Sequence, residues 1–455
     1  ALIWKTRGRQ FDSASGHMCS IFLTNKSDSI GPDEKFFSRG PDHFQKYEFD
    51  GIKMSHSLLS LTGEFTPQPI EKNGIYMMFN GQIYNYDSSI YPSDGYFILD
   101  EYLNKGLNFW KNLDGEYSIV IYDSTKNIVL FCTDIFGTKP LYYSNGKDSI
   151  SVASLITTLK NNSKPIIKCK PNTIYSFDLN TKKLQITENY YKFDLTQNID
   201  SFDTWNEKFI KSVDKRFNKL EHDIVLPLSS GHDSGAIACA LEILGISFYS
   251  YSIYRHEHVK ILSKRILRRL WNSPTKTRFR KDLQNIKQRE KLVQDIKKNC
   301  DPFFYGPEIE SLDIDGQVDP GAIGLYYILD SAKKSNPNIK IVASGQGGDE
   351  IYSSSQKYTF DKPNPHKFDQ NLSNIFPWQN FFYGAQISYL SKEESIGGSF
   401  GLESRYPFLD KYLVQEYLNL SPSLKNKSWK SPITNFLETY KYPYLTGTKI
   451  SGFNP

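Results

Sequence analysis

Residues 224–244 read Ile224-Val225-Leu226-Pro227-Leu228-Ser229-Ser230-Gly231-His232-Asp233-Ser234-Gly235-Ala236-Ile237-Ala238-Cys239-Ala240-Leu241-Glu242-Ile243-Leu244. An apolar run of strand length meets a small polar loop, and an apolar, Ala-rich segment of helical length follows. This order places Ser229–Ser234 on the turn between a buried parallel strand and a helix N-terminus. Free backbone N–H groups and the positive end of a helix dipole converge on such a turn, so a phosphate is its natural guest. Ser229, Ser230 and Ser234 add hydroxyl donors, and Gly231 lets the backbone approach closely. Asp233 suits an anion site only if a divalent cation stands between its carboxylate and the phosphates. The same residues also fit an ordinary strand–turn–helix corner rich in turn formers.

Residues 339–350, Ile-Lys-Ile-Val-Ala-Ser-Gly-Gln-Gly-Gly-Asp-Glu, repeat the pattern of strand then Gly-rich turn. The first stretch resembles the Ser-Gly-Gly-x-Asp-Ser pyrophosphate loop of ATP pyrophosphatases, with Ser230 in place of a glycine. The second resembles the Ser-Gly-Glu-Gly-x-Asp-Glu motif of asparagine synthetases, with Gln346 where that family carries Glu. Residues 401–410, Gly-Leu-Glu-Ser-Arg-Tyr-Pro-Phe-Leu-Asp, and Lys430 resemble further motifs of the same family. The resemblance implies that Leu228, Ser229, Ser230, Gly231, Asp233, Ser234, Ile253, Ser344 and Gly345 bind ATP and its pyrophosphate. It implies Mg2+ on Asp233 and Asp349, Lys430 on the reacting carboxyl–phosphate group, and Gln346 in the substrate pocket.

Towards the N-terminus a second series appears. It runs Arg39-Gly40-Pro41-Asp42, Thr66-Pro67-Gln68-Pro69, Phe79-Asn80-Gly81-Gln82, Ser93-Asp94-Gly95, Leu113-Asp114-Gly115-Glu116 and Asp134-Ile135-Phe136-Gly137. These motifs resemble the N-terminal-nucleophile (Ntn, class II) glutamine amidotransferase domain of the asparagine synthetase family. By itself, Cys19 before Ile21-Phe22-Leu23 reads as a buried strand residue. The resemblance makes it the nucleophile instead, with Asn80 and Gly81 forming the oxyanion hole. Arg39 is then expected on the glutamine carboxylate, Asp94 on its α-ammonium, and Gln82 beside it in place of a family Glu. An N-terminal Cys carries its own base, because an α-amino group titrates near pKa ~8. Residues 1–18 end in Ser15-Gly16-His17-Met18, which reads as a tag remnant or a propeptide to be removed before Cys19 can act.

Length and composition agree with a folded chain of more than one domain: 455 residues, 39% hydrophobic and 15% aromatic. Five cysteines without C-x-x-C spacing suggest neither a zinc site nor a disulfide framework, and a reducing cytoplasm is the simplest setting. No stretch is long and apolar enough to span a bilayer. The net charge of +5 conceals an asymmetry, since residues 260–298 carry 14 basic and three acidic side chains. This stretch is either a solvated face or a site for an anionic ligand.

The expected architecture follows. Residues 19–195 form an α+β glutaminase domain of two packed antiparallel sheets (αββα), and residues 200–455 form an α/β synthetase domain on a doubly wound parallel sheet. Trp205, Phe209, Val213 and Phe217 recur every fourth residue and mark a helix leading into the ATP strand. The expected activity is a glutamine-dependent amidotransferase that activates a carboxylate with ATP as an acyl-adenylate, aspartate being the default acid and ammonia the nucleophile. Gln346 leaves open another, perhaps anionic, acid or an intramolecular closure like that of β-lactam synthetases. An RNA-binding pyrophosphatase using residues 260–298 is a reading of another class, weakened by the scarcity of stacking aromatics there. Homodimerisation is left open.

Overall fold

The computed structural model describes residues 19–445 except 30, 62, 161–164, 219, 254–256, 273–276, 281–285, 306–317 and 354–366. The 449–453 segment and the start of the chain therefore lie outside the described residues. Two six-stranded antiparallel sheets occupy the N-terminal part. In spatial order the first holds Ile167–Lys168, Tyr142–Asn145, Ile150–Ala153, β1 (Ser20–Thr24), Ile52–Leu58 and His43–Phe49. The second holds Lys183–Glu188, Thr173–Asp178, Ile128–Thr133, Gly115–Asp123, β2 (Ile75–Ile83) and Ile70–Lys72. Period-two alternation explains the pairing. Ile21 and Leu23 of β1 meet Met78 of β2, Val120 and Phe131 in a shared core between the sheets. On the outer face of the second sheet, helix α1 (Asp94–Lys105) buries Ile98, Leu99 and Tyr102. The Thr173–Asp178 and Lys183–Glu188 hairpin extends the second sheet.

Helix α2 (Asp203–Phe217) buries all four residues of the 3.6-period stripe, Trp205, Phe209, Val213 and Phe217. It leads into a five-stranded parallel sheet of β3 (Asp223–Pro227), β4 (Tyr249–Ile253), β5 (Thr277–Arg280), β6 (Ile339–Ala343) and β7 (Glu403–Arg405). Their spatial order is β5-β4-β3-β6-β7. The chain steps outward from β3 to β5, then returns to β3's other side with β6, so the order reverses between β3 and β6. In a doubly wound sheet that reversal opens a crevice at the strand C-termini, where ligands bind. Helices cover both faces. α3 (His232–Ile243) shares the larger core with α2, whereas α5 (Pro320–Ser335) packs on the other face over Val225, Tyr251 and Val342. Between them in sequence, α4 (Val259–Asn272) carries the start of the basic stretch. Helix α6 (Ala385–Ser399) lies between the parallel sheet and the N-terminal sheets. Among the described residues no helix is long and apolar enough to cross a membrane.

Buried ion pairs close the seam between the two halves. Arg216 of α2 donates to Glu116 at 2.6 Å and to Asp410 at 2.9 Å, and the backbone N–H of Tyr406 donates to the same Glu116 oxygen at 2.9 Å. Glu394 of α6 receives Lys139 at 2.9 Å and the Tyr406 hydroxyl at 2.8 Å. Charges removed from water are costly unless paired, so removing one partner is much worse than never burying either. Arg216→Met, which keeps much of the side-chain volume, should therefore cost about 3–5 kcal/mol. Denaturant unfolding checks this, and a loss below ~1 kcal/mol would show that the seam tolerates an isolated carboxylate.

Candidate functional site

Cys19 lies immediately before β1, 8% exposed, and its Sγ faces the backbone of Leu59, with the Leu59 N–H donating at 3.2 Å. The pocket beside it is lined by Gly81 and Gln82 of β2, Asp94 at the start of α1, Glu64, and Glu403 of β7. The register of β2 against Gly115–Asp123 brings Asn80 and Gly81 opposite Ser118 and Tyr117. Gly81 sits at φ +129°, and a Cβ there would fall on the Glu116 carbonyl, so glycine is required. Among the described residues the buried Asn80 Nδ2 has no hydrogen-bond acceptor. A buried amide donor without an acceptor is costly, and a developing oxyanion in the pocket would satisfy it.

Burial pushes the Cys19 thiol up to about 12, so the thiol is not a nucleophile unaided. Asp94 is raised to about 7, chiefly by burial, while its carboxylate accepts from the Ile83 N–H at 3.0 Å and from Gln82 Nε2 at 2.9 Å. Gln82 thereby orients Asp94, and its own Oε1 lies 3.5 Å from Arg405. Arg39, expected on the glutamine carboxylate, is paired with Glu394 in this structure. Its guanidinium donates to the Glu394 carbonyl at 2.9 Å and lies 3.4 Å from the Glu394 carboxylate, and Arg39 is not among the residues lining the Cys19 pocket. Gly398 gives it room, since a Cβ at that position would stand 2.6 Å from Nη1. A buried guanidinium is drawn to a buried carboxylate, and Arg39 has one across the seam.

The two Gly-rich turns meet at the crevice between β3 and β6. The Ser229 hydroxyl pairs with Ser234 Oγ at 2.8 Å and accepts from the Gly231 N–H at 3.1 Å, which holds the first turn in shape. The backbone N–H and hydroxyl of Ser230 both donate to Glu257, so a carboxylate lies against this anion cradle. Leu228 is buried at the end of the strand, its carbonyl accepting from Ser252 Oγ at 2.7 Å, and Ile253 is buried at the end of β4. From the second turn, Gly348 approaches so closely that a Cβ would lie 2.5 Å from Asp233 Oδ1. A Cβ on Gly345 would stand 3.1 Å from Asp233 Cβ.

Lys430 completes the crevice. Its ammonium lies 2.5 Å from Asp233 Oδ2 and 3.0 Å from Asp349 Oδ1, joining one residue from each turn. Burial alone would lower its pKa, but the two carboxylates outweigh burial and leave it above the ordinary lysine value. The backbone of Lys430 is left-handed at φ +49°, a conformation costing a non-glycine residue about 1–2 kcal/mol. The surrounding structure holds this strain at the cation between the loops, as functional sites do. Asp233 and Asp349 also fit a magnesium ion, which needs only one or two carboxylates when phosphates supply further oxygens. Among the described residues no cluster of three or more His, Cys, Asp or Glu offers a self-sufficient metal cage. Sequence reasoning expected each of these residues but not their neighbours. Arg265, from the basic stretch, donates to the Ser229 and Gly231 carbonyls at 2.6 and 2.9 Å, and Arg269 donates to the Phe248 carbonyl at 2.6 Å. These two arginines brace backbone through the nitrogens that meet these carbonyls. Glu393 of α6 accepts from Ser344 Oγ at 2.9 Å, a contact without any local motif to announce it.

Comparison with known proteins places these two sites in context. Residues 18–194 match the glutamine amidotransferase domain family. A putative glutamine-hydrolysing asparagine synthetase of Methanocaldococcus jannaschii is 25% identical, over 81% of this chain and 69% of its own length. An asparagine synthetase domain-containing protein of Saccharomyces cerevisiae is 25% identical over 83% and 78%. A glutamine-hydrolysing asparagine synthetase of Bacillus subtilis is 24% identical over 90% and 68%.

The electrostatics of the crevice can be tested without a ligand. Lys430→Met leaves Asp233 and Asp349 facing each other with no cation between them. Their folded-state pKa values should then rise above the unfolded values, so the folded form binds more protons and gains stability as pH falls. The stability deficit relative to wild type should be larger at pH ~8 than at pH ~5. A deficit independent of pH would mean that the carboxylates do not share the lysine.

Proposed function

We propose that the chain is a ligase that converts a carboxylic acid to its amide with ATP and glutamine, a reading supported by its similarity to glutamine-hydrolysing asparagine synthetases and by its glutamine amidotransferase domain match. The observation that carries this reading is Lys430 bridging Asp233 and Asp349 at the crevice of the parallel sheet. Three charged groups from three separate segments converge where a triphosphate would meet a helix N-terminus.

In the first half-reaction the Cys19 thiol adds to the glutamine amide carbon. Its proton passes to the free α-amine that Cys19 gains once residues 1–18 are removed. Asn80 Nδ2 and the Gly81 N–H receive the oxyanion, ammonia departs, and water releases glutamate from the thioester. In the second, the acid's carboxylate attacks the α-phosphorus of ATP, and pyrophosphate leaves against the turn at 229–234. Ammonia then adds to the acyl carbon, Lys430 faces the oxyanion, and AMP departs. A magnesium ion on Asp233 and Asp349 would supply charge neutralisation for the pyrophosphate. Ammonia must pass between the sites as the unprotonated base. Glu403 lines the Cys19 pocket on β7, which pairs with β6, the strand that leads into Ser344.

Aspartate is the proposed acid, and Gln346 is where that choice is tested. Screening carboxylic acids for ATP-dependent pyrophosphate release identifies the substrate, and release of ADP and phosphate instead would reject adenylation. If aspartate is the acid, Gln346→Glu should raise asparagine formation. If another acid is used, the same change should impair the native reaction by introducing an unpaired charge. Cys19→Ala should abolish glutamine-dependent synthesis and leave ammonia-dependent synthesis within a few fold. Equal loss of both would make Cys19 structural. Asp233→Asn and Asp349→Asn should each cost at least tenfold in rate, about 1.4 kcal/mol of transition-state stabilisation. Undiminished rates would remove both from the phosphate site.

A further inference from the structure

A neutral amide cannot accept a proton, so Gln346 cannot itself serve as a base at that position of the second turn. The fold brings one from elsewhere. The Glu393 carboxylate on α6 accepts from Ser344 Oγ at 2.9 Å, and that hydroxyl in turn accepts from the Gln346 backbone N–H at 3.1 Å. The Gln346 side chain favours the ionised form of the same carboxylate. Adjacent residues of α6 thus face opposite sites. Glu393 meets the synthetase turn, while Glu394 meets Lys139 and Arg39 from the glutaminase side. The neighbouring cations are committed: Lys139 and Arg39 to Glu394, and Lys392 to Asp319 at 3.4 Å. Among the described residues none of these ion-pairs with Glu393, which is 5% exposed.

We propose that Glu393 is the general base of the amide-forming step, a role that rests on the function proposed above. When ammonia adds to the acyl carbon, the new C–N bond leaves an ammonium on nitrogen and an oxyanion on the former carbonyl. Ammonia is the easier group to expel while it keeps its extra proton. Glu393 removes that proton, the oxyanion re-forms the carbonyl, and the C–O bond to AMP breaks with its electron pair going to the phosphate oxygen. The proton then leaves Glu393 for solvent before the next turnover. Burial raises the Glu393 carboxyl to about 7, with Glu394 adding to the rise and Ser344, Lys392 and Gln346 opposing it. A base poised near neutrality both accepts and returns the proton.

The test uses Glu393→Gln in the chain with Cys19 at its N-terminus, supplied with ammonium chloride. The acid is L-aspartate, or whichever acid releases most pyrophosphate in the screen. Amide formation should fall tenfold or more, while pyrophosphate released in the first turnover stays within threefold of wild type. Hydroxylamine, whose adduct sheds its proton to water far more readily, should still give hydroxamate within threefold. Adding Gln346→Glu to the variant should restore amide formation at least fivefold. Equal losses with ammonia and hydroxylamine, or an early loss of pyrophosphate release, would overturn the proposal and leave Glu393 holding the Ser344 turn. Undiminished amide formation would overturn it as well. If wild type releases no pyrophosphate with any acid, the proposed function itself fails, a separate result.

Discussion

Two carboxylates, Glu116 and Glu394, lie in the seam between the antiparallel sheets and the parallel sheet, and neither is neutralised from its own side. Glu116 comes from the N-terminal sheets and is met by Arg216 of α2. Glu394 comes from α6 and is met by Lys139 and Arg39. Each half therefore carries a buried charge that only the other half can satisfy. Pulling the halves apart would leave these ions to find water or to sit unpaired in apolar surroundings, and the second alternative costs several kcal/mol per ion. The seam is thereby specified in register as well as closed. A sliding displacement would part Arg216 from Glu116 and Asp410 together.

That registration explains why two chemically unrelated sites can share one interior. The residues 401–410, which from sequence resembled a synthetase motif of unassigned purpose, supply much of the junction. Glu403 borders the Cys19 pocket and pairs with Arg405 at 2.7 Å, Tyr406 bonds Glu116 and Glu394, and Asp410 receives Arg216. Asp410 also caps the following helix by accepting from the Tyr412 and Leu413 N–H groups. The motif is thus better described as a clamp between sites than as a lining of either one.

Much of this was legible in the chain. The 3.6-period stripe of α2, the alternation within the sheets, and the two turns after β3 and β6 are local patterns, and local patterns survive in sequence order. Lys430 was reachable through the order of motifs. The residues that escaped prediction share a different property: their partners lie far away along the chain. Arg39 and Glu394 are 355 residues apart, Arg216 and Asp410 are 194 apart, and Ser344 and Glu393 are 49 apart. Periodicity and spacing cannot reveal where a long side chain turns once the chain has folded. The Arg39–Glu394 contact across the seam therefore left no trace in the local sequence. Within the basic stretch, Arg265 and Arg269 bond backbone carbonyls, which no composition count can show.

The pairing of β6 with β7 has a thermodynamic corollary. Glu403, at one end of that pair, touches the space where the amide donor would lie. At the other, the Ser344 N–H bonds the Arg405 carbonyl at 3.0 Å, anchoring the turn that would receive the acid and its phosphates. Parallel strands joined by a hydrogen-bond ladder move as a strut, with little slack between their ends. Occupants of the two cavities then work against a common elastic element. Whatever factor one ligand imposes on the affinity of the other must be returned unchanged in the opposite direction.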